Sequence, residues 1–345
     1  MYKDFFGLQK YPFAMTPDPG CVFMTSQHRE AMAALVYAIL SRKGLLVLSG
    51  EVGTGKTTVL SRVLRFLPPG RVQSSVVMHP TLTPNEFLEL LMMDFGIPDV
   101  PASKAQRLVR FQNFLKEADR EGKLSALIID EAHKLSPEVL EEIRLLGNLD
   151  HGDQKLLQIV LAGQSELDEV LKREELRQIK QRVSVRVALK ALSTDEVELY
   201  MRYRWTQAGG SENMPFAPAA IGQIGAWSKG VPRLINSICD NALLLAFAEK
   251  AQVVSAAHIL QAAADLDLAQ PLALATGKEN NPGVGSKPVA GDAKAAGEPP
   301  SAAAPQEPPP LPMAKVPEIR VPVFFGSEPR PKTLWNRWAE KLGLT

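Results

Sequence analysis

Cysteine is scarce in this chain of 345 residues, which contains only Cys21 and Cys239. Two cysteines so far apart form neither a disulfide framework nor the paired spacing of a structural zinc site. Uninterrupted apolar runs of about 18 residues, the length that spans a bilayer, are also missing. The N-terminal "MYKDFFGLQKYPF" lacks the apolar centre of a signal peptide. These absences favour a reduced, cytoplasmic setting.

A strong charge of one sign is missing as well. The chain has 39 Lys and Arg residues against 38 Asp and Glu residues, which leaves a formal net charge of +1. The whole chain therefore lacks the basic footprint of a nucleic-acid-binding protein, and any basic patch has to be local. Aromatic residues reach only 6%, but hydrophobic residues make up 45%, which suits a globular core.

Proline marks the main boundary of the chain. More than half of the 27 prolines fall within residues 270–331, among Gly and Ala runs, and this composition predicts a disordered linker. The last segment, residues 332–345, places Leu334, Trp335, Trp338 and Leu342 at helical spacing. We predict a short amphipathic helix there that docks on a partner protein, with a weakly ordered terminus as the equal alternative.

Apolar runs typical of strands alternate with helical patterns before the linker. The predicted strands are 45–49, 73–79, 124–130, 156–162 and 183–189, and the predicted helices are 56–67, 84–95, 103–121, 136–149 and 166–180. This alternation predicts an α/β fold, a parallel sheet flanked by helices, over residues 1–190 with an N-terminal arm. Residues 191–269 show only helical patterns, which predicts a small all-helical domain.

The segment "GEVGTGKTT", residues 50–58, fits G-x-x-x-x-G-K-[ST] between a predicted strand and a predicted helix. Backbone N–H groups of such a loop surround a phosphate, and the helix N-terminus adds partial positive charge. Lys56 would reach the β- and γ-phosphates and Thr57 would bind Mg²⁺. A chance glycine loop is the alternative, which the flanking elements disfavour. The predicted ATP-binding residues are Gly50, Glu51, Val52, Gly53, Thr54, Gly55, Lys56, Thr57, Thr58 and Asp130.

A second motif, "ALIIDEAHKLS", ends a buried apolar strand with two carboxylates. Asp130 is placed to hold Mg²⁺, and Glu131 is placed to polarise the attacking water. A solvated strand end is the alternative. One strand-and-helix unit separates the two motifs, which is typical of additional-strand NTPases. The predicted cofactors are therefore ATP and Mg²⁺.

The letters D-E-A-H also occur in helicases, but those need a second RecA-like domain, and only a short helical region follows here. That region is similar to the lid of AAA+ proteins. Arg233, in "KGVPRLINSICDNAL", stands where a sensor 2 arginine is expected, and Gln164 ends a strand at the sensor 1 position. A surface arginine and an ordinary polar strand end are the alternatives. We expect His133 to be incidental, capping the strand end or facing solvent.

The stretch "LKREELRQIKQRVSVRVALK" is strongly basic. Three interpretations are open: a solvated helix face, a basic strip that binds the phosphates of a nucleic acid, or the source of an arginine finger for a neighbouring subunit's ATP site. Arg182 and Arg177 are the finger candidates. A finger that acts in trans requires self-association, as a ring or a filament.

Residues 1–269 closely resemble the ExeA/GspA-type AAA ATPases of general secretion. The resemblance rests on "FFGLQKYPFAMTPDPGCVF", "SQHREAMAALVYAI", "LSGEVGTGKTT", "HPTLTPNEFL", "LIIDEAHKLSPEVLEEIRLLGNLD", "LQIVLAGQSEL", "LRQIKQRVSVRVAL" and "KGVPRLINSICDNAL". The ATPase core also resembles TniB/TnsC-like transposition regulators. The resemblance implies that the N-terminal arm and the start of its first helix, around His28, lie near the adenine.

The chain departs from the family's pattern at His79, where the family usually has Asn, which leaves the restraint of Glu131 open. Secretion-type members continue into a transmembrane helix and a peptidoglycan-binding domain; the sequence shows neither, so we expect no direct role in inserting a secretin. The resemblance implies a cytoplasmic assembly or regulatory ATPase for an envelope export system, with a partner at the inner membrane as a further option. A DNA-binding transposition-type ATPase, which the neutral charge disfavours, and a nucleotide-gated scaffold remain the alternatives.

Overall fold

The computed structural model describes residues 2–15, 22–78 and 80–269, which all fall in one compact unit. The strands of this described part are β1 (Leu45–Gly50), β2 (Val72–Val77), β3 (Leu124–Ile129), β4 (Asp150–His151), β5 (Gln154–Lys155), β6 (Leu157–Gly163) and β7 (Val183–Leu189). Five of them form one parallel sheet in the order β2-β3-β6-β1-β7, and the two short strands β4 and β5 form a separate antiparallel hairpin.

Helices connect the strands and continue beyond the last one. Ser and Thr caps begin several of them, and at Thr83 a capping box with Glu86 precedes the helix that starts at Pro84. The helices are α1 (Tyr2–Phe5), α2 (Ser26–Leu40), α3 (Lys56–Phe66), α4 (Pro84–Asp94), α5 (Lys104–Arg120), α6 (Pro137–Leu146), α7 (Ser165–Val170), α8 (Arg177–Lys180), α9 (Thr194–Gln207), α10 (Pro218–Ser228), α11 (Pro232–Ala248) and α12 (Ala256–Asp265).

Helices cover the sheet on both faces. The three central strands, β3, β6 and β1, are almost entirely buried, as expected for strands of a parallel sheet with two covered faces. Successive side chains point to opposite faces. Leu46 and Leu48 therefore pack with α2 and α3, whereas Val47 packs in the cluster that contains Phe87 of α4 and Phe111 of α5.

The five predicted strands are confirmed, but the predicted helix 166–180 is wrong. The chain forms α7, a 3-10 turn (Glu174–Leu176) and α8 instead. Leu167 and Leu176 are nine residues apart, which is about 2.5 helical turns, so one continuous helix would place them on opposite faces. The break lets both side chains reach the same core. The β4-β5 hairpin was not predicted.

A second hydrophobic cluster joins the helices that follow β7. It contains Met201 and Trp205 of α9, Ile224 of α10 and Ile238 of α11, together with residues of α12. The capping box of Ser193 and Glu196 that the sequence predicts is present at the start of α9. Within the described residues, the region after β7 is helical apart from an isolated β-bridge between Phe216 and Val254. That residues 191–269 form a separate domain stays a prediction.

The N-terminal arm lies in this second cluster. Phe13 is fully buried there, beside Tyr2 and Leu8 of the same arm. The buried guanidinium of Arg204 donates from Nε to Pro12 O at 2.6 Å and from Nη2 to Ala14 O at 2.9 Å. The arm is thus held by both apolar packing and backbone hydrogen bonds, and its predicted place in the domain of residues 1–190 stays a prediction.

The predicted linker of residues 270–331 and the predicted helix of residues 332–345 lie outside the described residues. Within the described ranges, no helix is both long enough and apolar enough to cross a membrane.

Candidate functional site

Three adjacent strands end at one edge of the sheet. Strands β3, β6 and β1 are neighbours and run parallel, so the residues that follow them meet at their common carboxyl edge. Asp130 and Glu131 follow β3, Gln164 follows β6, and residues 51–55 link β1 to α3. The sheet order therefore brings together sequence segments that are far apart in the chain.

Residues 51–55 form a tight loop that closes onto Lys56, the first residue of α3. The Lys56 Nζ atom donates to Gly50 O at 2.7 Å and to Glu51 O at 2.9 Å. Burial lowers the pKa of the Lys56 ammonium, although the nearby carboxylates of Asp130 and Glu131 oppose the shift. The ammonium is thus held inside the loop, where phosphate oxygens can replace the carbonyl acceptors.

Gly53 is the point at which the loop meets α11. Its φ of +81° lies in the left-handed region, and a Cβ atom added there would lie 2.6 Å from the Arg233 Cβ atom and 3.2 Å from Val231 Cγ1. The structure therefore brings the backbone end of the Arg233 side chain to the loop, and its sensor role stays a prediction.

Thr57 and Asp130 join the two sequence motifs. The Thr57 hydroxyl donates to Asp130 Oδ2 at 2.7 Å, and the other carboxylate oxygen accepts the Glu131 backbone N–H at 2.9 Å. Asp130 is buried, and its own N–H donates to Val77 O at 2.9 Å. A hydroxyl and a carboxylate oxygen are hard ligands of the kind that Mg²⁺ takes, so this pair fits a magnesium ion held jointly with nucleotide phosphates.

Glu131 has a left-handed backbone, with φ 54° and ψ 32°, which is uncommon for a residue other than glycine. Its Oε2 atom lies 3.3 Å from Lys134 Nζ, 3.5 Å from His133 Nε2 and 3.4 Å from Gln164 Nε2. Burial alone would raise the pKa of Glu131, but the contacts with Lys134, His133 and Gln164 outweigh burial and lower it. The carboxylate is therefore kept ionised at the mouth of the site.

His28 of α2 contacts the loop from the other side. Its Nε2 atom lies 3.0 Å from Thr54 O, and its Nδ1 atom lies 2.7 Å from the Thr25 hydroxyl. Because a carbonyl can only accept, Nε2 carries the proton and Nδ1 accepts from Thr25. The start of α2 is thus attached to the phosphate loop.

Two residues at the site were not predicted. Lys134 contacts Glu131, and the Ser165 hydroxyl donates to Glu51 Oε1 at 2.9 Å, which joins the loop after β6 to the loop after β1. Ser165 directly follows the predicted site residue Gln164, and Lys134 lies three residues after Glu131, so closeness along the chain was the available signal. Of the remaining predicted loop residues, Val52 is exposed and Thr58 is half-buried.

Arg177 and Arg182 do not reach this edge of the sheet. Both are exposed and precede β7, whose first residue, Val183, pairs with Leu45 at the start of β1. Parallel strands place the starts of β7 and β1 at the edge opposite the phosphate loop. Neither arginine can therefore serve the nucleotide site of its own chain, and the predicted finger role in trans stays a prediction. His79 lies outside the described residues.

Residues 38–171 match the family model of an AAA domain. This part of the chain has the fold of an AAA+ protein. Over 249 residues the chain is 41% identical to the general secretion pathway protein A of Aeromonas hydrophila, which confirms the resemblance noted in the sequence. That match covers 72% of this chain and 45% of the relative, so this chain spans less than half of the relative's length.

Solved structures share the AAA+ fold. The Aeropyrum pernix ORC2 protein in ADPNP and ADP complexes matches with a TM-score of 0.55 at 18% identity, over 74% of this chain and 72% of that one. Drosophila ORC bound to DNA matches with a TM-score of 0.55 at 18% identity, over 77% and 65%. At this identity the two structures establish the fold alone. They confirm the predicted parallel sheet with flanking helices.

Proposed function

We propose that this AAA+ protein binds ATP with Mg²⁺ and hydrolyses it. The observation that carries the proposal is the 2.7 Å hydrogen bond between Thr57 and the buried Asp130, with Glu131 directly beside it. This contact puts the two groups that would share a magnesium ion next to the ionised carboxylate of Glu131. Magnesium, when bound there, would neutralise phosphate charge.

The position of each residue in the site indicates its proposed role. Backbone N–H groups of Gly50, Glu51, Val52, Gly53, Thr54 and Gly55 would surround the phosphates, with Thr58 in the first turn of α3. Lys56 would exchange its two carbonyl acceptors for phosphate oxygens. Thr57 and Asp130 would hold the metal.

Glu131 is proposed to accept a proton from the attacking water. Its lowered pKa supports this role because a general base has to be ionised at the working pH. Gln164, whose amide approaches the Glu131 carboxylate, would sense the γ-phosphate from β6. Arg233 would sense it from α11, across the contact with Gly53.

The direct test is the Glu131→Gln variant. Loss of a general base lowers turnover by about 10²- to 10⁴-fold, whereas ATP binding, measured with a fluorescent nucleotide, should be retained. The Thr57→Ala variant should lose the magnesium dependence of ATP binding. Unchanged turnover in Glu131→Gln would exclude the assigned base, and a wild-type protein that binds ATP without turnover would favour the nucleotide-gated scaffold.

The cellular role that we propose is assembly or regulation of a secretion or envelope export system. The identity with general secretion pathway protein A supports it, over the part that the two chains share. The protein would act in the cytoplasm as a ring or filament, with Arg182 or Arg177 completing a neighbour's site. The segment with Trp335 and Trp338 would bind the partner, at the inner membrane if the partner lies there.

Deletion of the gene should stop assembly of the export complex, and wild-type protein should restore it. The Glu131→Gln variant should fail to restore assembly. A variant that lacks residues 332–345 should keep its ATPase activity and fail in assembly. Normal export in the deletion strain would contradict the proposed role.

DNA binding is the second candidate, favoured by one observation. Arg177, Lys180 and Arg182 are exposed together before β7. If they contact phosphates, DNA retention should require ATP and fall steeply between about 50 and 200 mM salt. Absence of such retention in the wild-type protein leaves the secretion role as the proposal.

A further inference from the structure

His133 is contacted on both ring nitrogens, which the sequence did not predict. The Nδ1 atom lies 3.4 Å from the backbone nitrogen of Gln164. A backbone N–H can only donate, so Nδ1 is the acceptor and the proton of the neutral ring resides on Nε2. The Nε2 atom itself lies 3.5 Å from Glu131 Oε2.

Packing holds the ring in this orientation. Only 12% of the His133 side chain is exposed. The 3-10 turn Ala132–Lys134 rests on the end of β6, where a Cβ atom added to Gly163 would lie 3.2 Å from the His133 backbone nitrogen. Burial of the side chain and the contact of Nδ1 with the Gln164 backbone nitrogen restrict rotation of the ring.

Gln164 and His133 form a closed set of contacts with Glu131. The backbone N–H of Gln164 holds the imidazole, and its side-chain amide lies 3.4 Å from the same Glu131 oxygen that the imidazole approaches. A displacement of Gln164 therefore acts on the Glu131 carboxylate along two routes. One route is direct, and the other passes through the His133 ring.

Lys134 contacts the same Glu131 oxygen, but it does so through an exposed and flexible side chain. Its side chain is 54% exposed, and its ammonium lies at the end of a flexible stem, 3.3 Å from Oε2. Exposed ion pairs are weak and are screened by salt. Lys134 therefore adds charge near the carboxylate without defining its direction. A control away from the site is Lys123, which precedes β3 and forms an exposed ion pair with Glu121 at 2.6 Å.

We propose that His133 is a positioning residue that aims the Glu131 carboxylate and couples it to Gln164. The inference rests on the proposed function, because it matters only if Glu131 is the base for ATP hydrolysis. Glu131, with its left-handed backbone, directly follows Asp130 after the end of β3, and the mostly buried His133 ring lies 3.5 Å from its carboxylate there. Misplacement of a reacting group by about 1 Å can cost on the order of 10² in rate.

The test compares His133→Ala, His133→Gln and Lys123→Ala in the full chain. His133→Ala should lower kcat by about 10-fold or more while KM and the ATP dissociation constant stay within about 2-fold, because only the transition state is affected. His133→Gln, whose amide can both accept and donate, should restore most of kcat. Lys123→Ala, which removes only an exposed ion pair, should change kcat by less than about 3-fold.

The coupling is tested by a double-mutant cycle with Gln164→Ala. The two losses in kcat should be clearly less than multiplicative, because both variants disturb the same contact set. Wild-type kcat in His133→Ala, multiplicative losses, an equal loss in Lys123→Ala, or a parallel loss of ATP binding would each overturn the proposal. Turnover that survives in Glu131→Gln would instead overturn the proposed function, so the two failures are distinguishable.

Discussion

Single residues set the distance between the phosphate loop and α11. Gly53 has a φ of +81° and would place a Cβ atom 2.6 Å from the Arg233 Cβ atom. We therefore expect Gly53→Ala to push the loop and α11 apart and to weaken ATP binding by at least about 10-fold, or 1.4 kcal/mol. The measurement is a titration with a fluorescent ATP analogue.

Gly222 offers the matched control, because it lies inside α10 and a Cβ atom there would meet nothing within 4 Å. Gly222→Ala should leave ATP affinity unchanged and raise the free energy of unfolding by about 0.5–1 kcal/mol through helix propensity. Wild-type ATP affinity in Gly53→Ala would show that the close approach of the loop to Arg233 plays no part in binding.

At the scale of elements, the N-terminal arm is a part of the second core. Phe13 is fully buried and meets Phe216 edge to face, with ring centroids 6.0 Å apart. Phe13→Ala should lower the free energy of unfolding by about 3–5 kcal/mol. Tyr11 is 48% exposed, so Tyr11→Ala should cost only about 1 kcal/mol, from its ring contact with Tyr2. If urea unfolding gives the same loss of unfolding free energy for Phe13→Ala and Tyr11→Ala, the assigned packing is contradicted.

Asp119 holds the β4-β5 hairpin at the edge of the sheet that lies opposite the phosphate loop. Its carboxylate lies 2.8 Å from His151 Nδ1 and 2.6 Å from Arg42 Nη2. The hydrogen bond from His151 lowers the pKa of Asp119, and Arg42 adds to the shift against the effect of burial. The unfolded chain therefore binds this proton more tightly than the folded chain does.

The sign of the pH dependence follows from that difference. The stabilisation by Asp119 is present above the ordinary carboxyl pKa of about 3.9 and is lost as the pH falls through the lower native value. Asp119→Asn should be less stable than wild type by about 1 kcal/mol at neutral pH. The two unfolding curves should converge in acid, and a constant difference from pH 7 to pH 2 would contradict the assignment.

For the whole molecule, the proposed arginine finger makes hydrolysis depend on a neighbour. Arg182 lies at the edge of the sheet opposite its own phosphate loop. We expect Arg182→Ala and Glu131→Gln each to be inactive alone. An equimolar mixture should regain activity in about a quarter of the sites, where an intact Glu131 faces an intact finger.

Activity per subunit should also rise with protein concentration in the wild type. If the mixture stays inactive, Arg177 becomes the finger candidate. The same mixing experiment is then done with Arg177→Ala in place of Arg182→Ala. A rate per subunit that is independent of concentration would contradict a finger in trans altogether.

The sequence by itself determined the elements whose signals are local. The central strands are continuous apolar runs, and the phosphate loop and the Asp130–Glu131 pair are contiguous motifs at strand ends. The parallel sheet with flanking helices followed from their alternation, and the comparisons confirm it.

Only the tertiary structure decided how distant segments meet. The sheet order placed β6 between β3 and β1, and so brought Gln164 to Glu131 and His133. The break near residue 173 arises because Leu167 and Leu176 share one core, and the arm lies in the second core through Phe13. These outcomes depend on packing between residues far apart in the chain, and local periodicity carries no information about such contacts.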